Sequence, residues 1–413
     1  MDWSLYRPIL LFGQFPTKLR TQYSAQYNLT VKRELPGDIL LQVGYVGSQG
    51  HRLLAIHDQN AANPQPCLDM AAISNFYGAP APGGPPNPNE NDALSAAYSC
   101  GPFFEDSAFS LPANSVPAGF TLHLPYGSVP SVGAGNPAIT LVGLRPFSSP
   151  NCQPTTGVGC PADGNEIFNS IFAEDTVAHS NYNSLQALLE KRFSHGLQFQ
   201  ASYTYSKSLD NASSFEEILQ PTNFNATYGP SLFDSRHRFV FNYVWELPGR
   251  KMQGMAGQFL GGWQLSGIYT YQSGFPILMN NCNDSELEGS TLGFECPGKA
   301  NLTAPFQTHN PRTDGFVFDP NLFDNNVSLG TFGNTPRTLC CNPPINNWDM
   351  GIFKDTSLGE RMRLQFRTEI FNVFNHAQFY GVDGNSGNQG STFGQPQKVR
   401  PPRLFQFALK LVF

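Results

Sequence analysis

Period-two alternation, sustained over ten or more residues at a time, restricts this chain more than any other feature. Between 238 and 247, Phe239, Phe241, Tyr243, Trp245 and Leu247 fall on one face, while Arg238, Asn242 and Glu246 share the other with Val240 and Val244. Between 361 and 370, Met362, Leu364, Phe366 and Ile370 oppose Arg361, Arg363, Gln365, Arg367 and Glu369. Between 198 and 206, Phe199, Ala201, Tyr203 and Tyr205 oppose Gln198, Gln200, Ser202, Thr204 and Ser206. The same reading over 21–34, 38–47, 182–193, 262–273, 345–355 and 403–413 predicts nine strands. Each runs to roughly 10–14 residues, enough for a tilted strand to cross a bilayer. Ordinary globular strands are about half as long.

The connections alternate as well. Short links at Leu35-Pro36-Gly37, Ser194-His195-Gly196, Pro248 to Gly261 and Thr356 to Glu360 alternate with long ones at 48–181, 210–235, 274–344 and 374–402. Membrane barrels have this asymmetry, with short turns inside and long loops outside. A strand with water on one side and lipid on the other selects alternating polar and large apolar residues. A soluble sandwich or propeller would not need such faces over such lengths, and no fixed blade repeat is present. The expected fold is therefore all-β, a transmembrane antiparallel β-barrel. Trp263, Tyr269, Tyr271, Trp348 and Tyr27, near strand ends, suit the interfacial girdles.

Composition narrows the partners. Aromatics make up 13% of the 413 residues and charged residues only 14%, and the net charge is −6 with no basic cluster, which argues against nucleic acid. No uninterrupted apolar run reaches the length of a membrane-crossing helix. The N-terminus, MDWSLYRPILLFGQF, lacks the three regions of a secretory signal, so the expectation is either a cytoplasmic protein or a start that is not the true one.

The segments SNYNSLQALLEKRFSHGLQFQASYTYSKSLDN, DSRHRFVFNYVWELPG, GGWQLSGIYTYQSGFP and RLQFRTEIFNVFNHAQF, in that order, resemble the C-terminal barrel of TonB-dependent outer-membrane receptors. The resemblance is to the Oar-like group, whose members carry a carboxypeptidase-regulatory-like domain, and runs from about Tyr23 to Phe413. It implies a 22-stranded barrel with a plug and a TonB-contacting segment, neither of which is present in this sequence. Residues 1–20 then read as a lead-in from upstream barrel, and 21–413 as the C-terminal portion of a longer receptor. The TonB complex would be a partner only through those missing N-terminal parts. The resemblance also implies the outer membrane of a Gram-negative-type bacterium, and energy-coupled passage of an unidentified ligand. Two alternatives stand beside it. One is a surface interaction or adhesion protein; the other is a small plugless channel in which Leu5 to Phe15 supplies a tenth strand, against which Pro8 and Pro16 argue.

No nucleophile elbow, zinc-protease motif or P-loop occurs, so no catalytic residue and no cofactor is expected. NDSELEGSTLGFE places Asp284, Glu286, Glu288, Gly289, Ser290 and Glu295 at the spacings of a calcium loop. Glu at positions three and five and the lack of flanking helices leave an acidic surface loop as the other reading. Eight Cys fall in the long loops and suggest staples, with Cys67 and Cys100, Cys152 and Cys160, and Cys282 and Cys296 as pairs within single loops. Cys340 and Cys341 are adjacent, and strain favours separate partners or free thiols. Arg361, Arg363, Arg367 and Glu369 are expected on the inward wall, as generic features of a hydrated lumen. In the final RLFQFALKLVF, Phe405, Phe407, Leu409, Leu411 and Phe413 are expected to face lipid, and the ending resembles the signal read by barrel-assembly machinery.

Overall fold

The computed structural model describes residues 9–14, 18–65, 67–69, 72, 108–111, 121–124, 127–130, 139–142, 145–147, 168–214, 217–249, 254–288, 297–359 and 362–413. One large sheet dominates. Its strands are β1 (Ile9–Gln14), β2 (Tyr23–Leu35), β3 (Ile39–Asp58), β4 (Phe168–Ser194), β5 (Leu197–Asp210), β6 (His237–Glu246), β7 (Trp263–Gln272), β8 (Ile345–Ser357), β9 (Arg363–Phe371) and β10 (Leu404–Val412). From β2 to β10 each strand pairs antiparallel with the next in the chain. These nine are the strands the alternation predicts. The sheet is open among the described residues, with β2 and β10 at its edges.

Register carries the alternation across the whole sheet. Phe199, Phe241 and Leu265 belong to one face through the pairs Tyr243↔Phe199, Phe241↔Ala201 and Trp245↔Leu265. That face continues through Leu265↔Ile352, Ile352↔Thr368 and Thr368↔Phe407. The opposite face carries Gln200↔Asn242, Gly351↔Glu369, Glu369↔Gln406 and Arg367↔Ala408. Arg363, Arg367 and Glu369 thus lie on the polar, inward face as expected, while Arg361 lies outside the described residues. Outward glycines are covered by rings: a β-carbon at Gly47 would collide with Tyr27, and one at Gly267 with Tyr243 and Trp348.

The short links follow from local chemistry. His195 and Gly196 both have positive φ, 53° and 80°, and join β4 to β5 as a two-residue hairpin of the kind that matches strand twist. The link after β6 contains a helix, α1 (Gly254–Leu260), and Trp263 Nε1 donates to Phe259 O at 2.9 Å. At the same end Lys354 lies over the Trp263 ring at 5.8 Å, its ammonium donating to Gly261 O.

The structure corrects two expectations here. Residues 49–58 and 172–181, assigned to a loop, continue β3 and β4 as a paired hairpin up to Asp58↔Phe172. The sequence hides this because a register shift between His51 and Leu54, with Arg52 at φ 55°, interrupts the period. Of the proposed tenth barrel strand, the described residues Ile9–Gln14 form β1, which pairs parallel with Phe168–Ala173 at the far end of β4 and does not lie between the two sheet edges. Among the described residues no ten-stranded closed channel is formed.

Candidate functional site

Beyond the end of the sheet opposite the short links, the long loops fold together as a cap. Ile277, Met279, Ala300, Val317, Phe318, Phe323 and Phe393 form a buried cluster drawn from 274–344 and 374–402. Phe318 packs its ring against Phe306, Phe323 and Phe393 at 5.0–5.5 Å. The two loops are also laced by backbone bonds, Val317 N to Gly394 O at 2.8 Å and Asn280 N to Gly384 O at 3.2 Å. Gly394, at φ 80°, lets the chain pass close to Phe318, where a side chain would strike the Phe318 carbonyl. Among the described residues, no fully buried apolar side chain lies in the spanning segments of the sheet; the core is in the cap and the hairpin extension.

Loop 210–235 is tied to this cap by one arginine. Arg337 is buried, and its guanidinium pairs with Asp210 and with Glu217 Oε2 at 2.9 Å, while donating to Asn211 O at 3.0 Å and Pro230 O at 3.1 Å. Buried ion pairs are tolerated only with such additional hydrogen bonds. Beside them a cavity of about 250 Å³ is lined by Asn211, Glu217, Gln220, Lys299, Phe332 and Arg337, giving a small solute both donors and acceptors. The same loop packs on the hairpin: Ile218–Leu219 pairs with Ile56–His57, and Phe224 meets His57 at 4.9 Å.

A second junction joins the hairpin tip to loop 274–344. Asp58 accepts from Asn60 N at 2.8 Å and Ile171 N at 3.0 Å, and the buried Arg145 reaches it at 3.4 Å. Ala62 N donates to Glu288 O at 2.9 Å, and Leu287 is buried with Ala62 and Cys67. Asp284, Glu286 and Glu288 are all buried here. Burial pushes the Glu286 carboxyl up to about 7 and that of Glu288 up to about 8, with the neighbouring carboxylates adding to the rise. Gly289, Ser290 and Glu295 lie outside the described residues. Among the described residues no group of three His, Cys, Asp or Glu is placed to hold a metal ion.

Cys67 and Cys282 each belong to a disulfide bond. Cys100, Cys152, Cys160 and Cys296 lie outside the described residues. Cys340 and Cys341 depart from expectation, being bonded to each other. Adjacent thiols need no loop closure to meet, an advantage the strain argument left out. Sequence reasoning missed Arg337, Asp210 and Glu217 altogether, because they are 127 and 120 residues apart and carry no spacing signal. In β10, Phe405, Phe407, Leu409 and Leu411 pair with Ile370, Thr368, Phe366 and Leu364 on the outward face, and Phe413 follows the strand, 94% exposed.

A family model described as outer membrane beta barrel domain matches residues 9–406. No curated protein matches the chain. Among solved structures, the outer membrane transporter YddB from Escherichia coli is similar at 10% identity and a TM-score of 0.40, with 97% of this chain and 34% of that one covered. The ferripyoverdine receptor of the outer membrane of Pseudomonas aeruginosa is similar at 9% identity and a TM-score of 0.36, with 95% and 27% covered. The chain spans about a third or less of the length of these structures.

Proposed function

Because the chain belongs to the outer membrane β-barrel domain family, and so is a protein of the outer membrane, we propose that it serves in receptor-type transport, with its cap as the ligand-engaging surface. The observation that carries this reading is the fusion of the long loops through one buried core and one arginine. Loops that served only to link strands would have no reason to bury Phe318 and Phe393 together or to enclose the Arg337 ion pairs. Passage of the ligand would be energy-coupled through the TonB complex, as the quoted segments' resemblance to the Oar-like receptors suggests. The TonB contacts would belong to segments outside this chain, and no catalytic step is involved. The terminal strand's outward row, ending in Phe413, supports recognition by barrel-assembly machinery. Surface adhesion through the cap is the second reading, favoured by the height of the β3–β4 hairpin.

The test compares cells with and without the protein for accumulation of labelled solutes too large for general porins. Accumulation that requires the protein and collapses with a protonophore or without TonB supports coupled transport. Accumulation indifferent to both sinks the coupling. Unchanged accumulation together with lost attachment to surfaces moves the assignment to adhesion.

A further inference from the structure

We propose that the outward rim beside β8, β9 and β10 is a docking surface for the phosphate of an outer-leaflet lipid headgroup, held by Arg312, Arg400 and Arg403. The proposal rests on the membrane location of the barrel and not on what the protein transports. Below the rim, the outward face of β10 is apolar, with Phe405, Phe407 and Leu409 exposed by 49%, 64% and 67%. At the rim comes an aromatic girdle: Tyr269 and Trp348 are outward partners in the β7–β8 register, and Phe374 meets them at 6.4 and 5.7 Å. His376 stacks on Phe374 at 5.2 Å. Immediately above stand the cations. Arg403 lies over the outward Phe405 ring at 5.6 Å, and Arg400 over Tyr380 at 5.1 Å.

Arg312 joins them from the other loop, its Nη2 donating to Ala377 O at 2.7 Å, while Arg400 N donates to Gln378 O at 2.9 Å. The guanidiniums of Arg312 and Arg400 thus lie against residues 377–380, and that of Arg403 lies beside them at the foot of the same loop, its Nη1 donating to Val373 O at 3.4 Å. All three are exposed, and among the described residues none takes part in an ion pair. In a chain of net charge −6, residues 371–413 carry Lys398, Arg400, Arg403 and Lys410 against a single acid, Asp383. That acid is occupied in its own turn, accepting from Asn385 N, Asn388 and Thr392. A cleft of about 640 Å³ opens beside Arg312, lined also by Tyr271, His309, His376 and Gln378.

Chemistry and position together select the occupant. Guanidinium forks match phosphate oxygens, and the cations stand directly over an apolar surface of acyl-chain character. A soluble anion would use the charges and leave the stripe beneath them idle. A phosphorylated lipid uses both.

The test places the full chain in nanodiscs of phosphatidylcholine doped with phosphatidic acid, and reads lipid retained on the protein by native mass spectrometry. Replacing Arg312, Arg400 and Arg403 together by Gln should lower retention of phosphatidic acid on the order of 100-fold, while diacylglycerol retention stays equal in both proteins. The triple Lys variant should retain most of the binding, and Gln at Arg33 and Arg192, near the short links, should change nothing. Heat-modifiable migration confirms that each variant is folded. Equal retention by the triple Gln variant overturns the proposal. So does displacement of phosphatidic acid by inorganic phosphate at the same concentration, which would make the site one for a free anion.

Discussion

Two phenylalanines show how differently the parts of this molecule are held. Phe318, in the cap, is fully buried among three other rings; Phe407, in β10, leaves 64% of its surface exposed, and the rings of Phe405 and Phe366 stand 6.4 and 6.5 Å from it. The cap is organised as a soluble protein is, apolar within and polar without, and draws its stability from burial. The wall reverses this. It buries no apolar core, satisfies its backbone through continuous ladders, and presents its large side chains to lipid. The same residue type thus reports two solvents, and a substitution should be read against the solvent its region answers to.

That contrast can be broken in four places. The largest effect is expected from pH, and only in the cap. The Glu286 and Glu288 carboxyls stand at about 7 and about 8 against an ordinary 4.5, so the folded cap holds protons that unfolded loops release. Their contribution is full below about pH 4.5 and is lost as pH rises through 7 and 8, by several kcal/mol. Proteolysis of 274–344 should accelerate over that window, and Glu288→Gln should flatten the upper part of the rise; a rate constant across it would contradict the burial argument. Next, Phe318→Ala should cost the cap about 3–5 kcal/mol, seen as faster loop cleavage with unaltered heat-modifiability of the wall. Loss of the wall together with the cap would show that the two regions are one cooperative unit.

In the wall, Phe407→Lys should cost about 2–4 kcal/mol if the residue sits near the midplane, read as a lower urea midpoint in vesicles. No change would remove Phe407 from lipid. The smallest effect is Tyr27→Ala on the edge strand β2, about 1 kcal/mol from uncovering Gly47 of β3, with the cap's cleavage rate unmoved.

The wall was legible in the sequence because each of its strands satisfies two solvents at once, and that requirement writes itself residue by residue as alternation. Strands such as His237–Glu246 could be placed to within a residue or so. The cap obeys no such period. Phe318 and Phe393 lie in stretches rich in Gly, Asn and Pro, and meet only because intervening turns bring them together. Arg337, within TPRTL, carries no hint of Asp210 and Glu217. The acidic run at 284–288 is visible in the sequence, but its burial depends on Ala62 and Leu287 packing across two loops, which no local pattern encodes. One interruption inside a strand, at the shift near Arg52, breaks the period, and alternation alone stops half a hairpin short.

The continuation of that hairpin from Gln49 to Asp58 has a consequence for encounter. At about 3.4 Å per residue it adds roughly 30 Å of stiff ladder above the apolar belt, a height comparable to the hydrocarbon layer itself. A diffusing solute then meets the protein above the crowded headgroup layer, not flush with it. What it meets first is the exterior of the cap, with Asp58, Arg145 and Glu288 sealed inside the junction at the end of the paired strands.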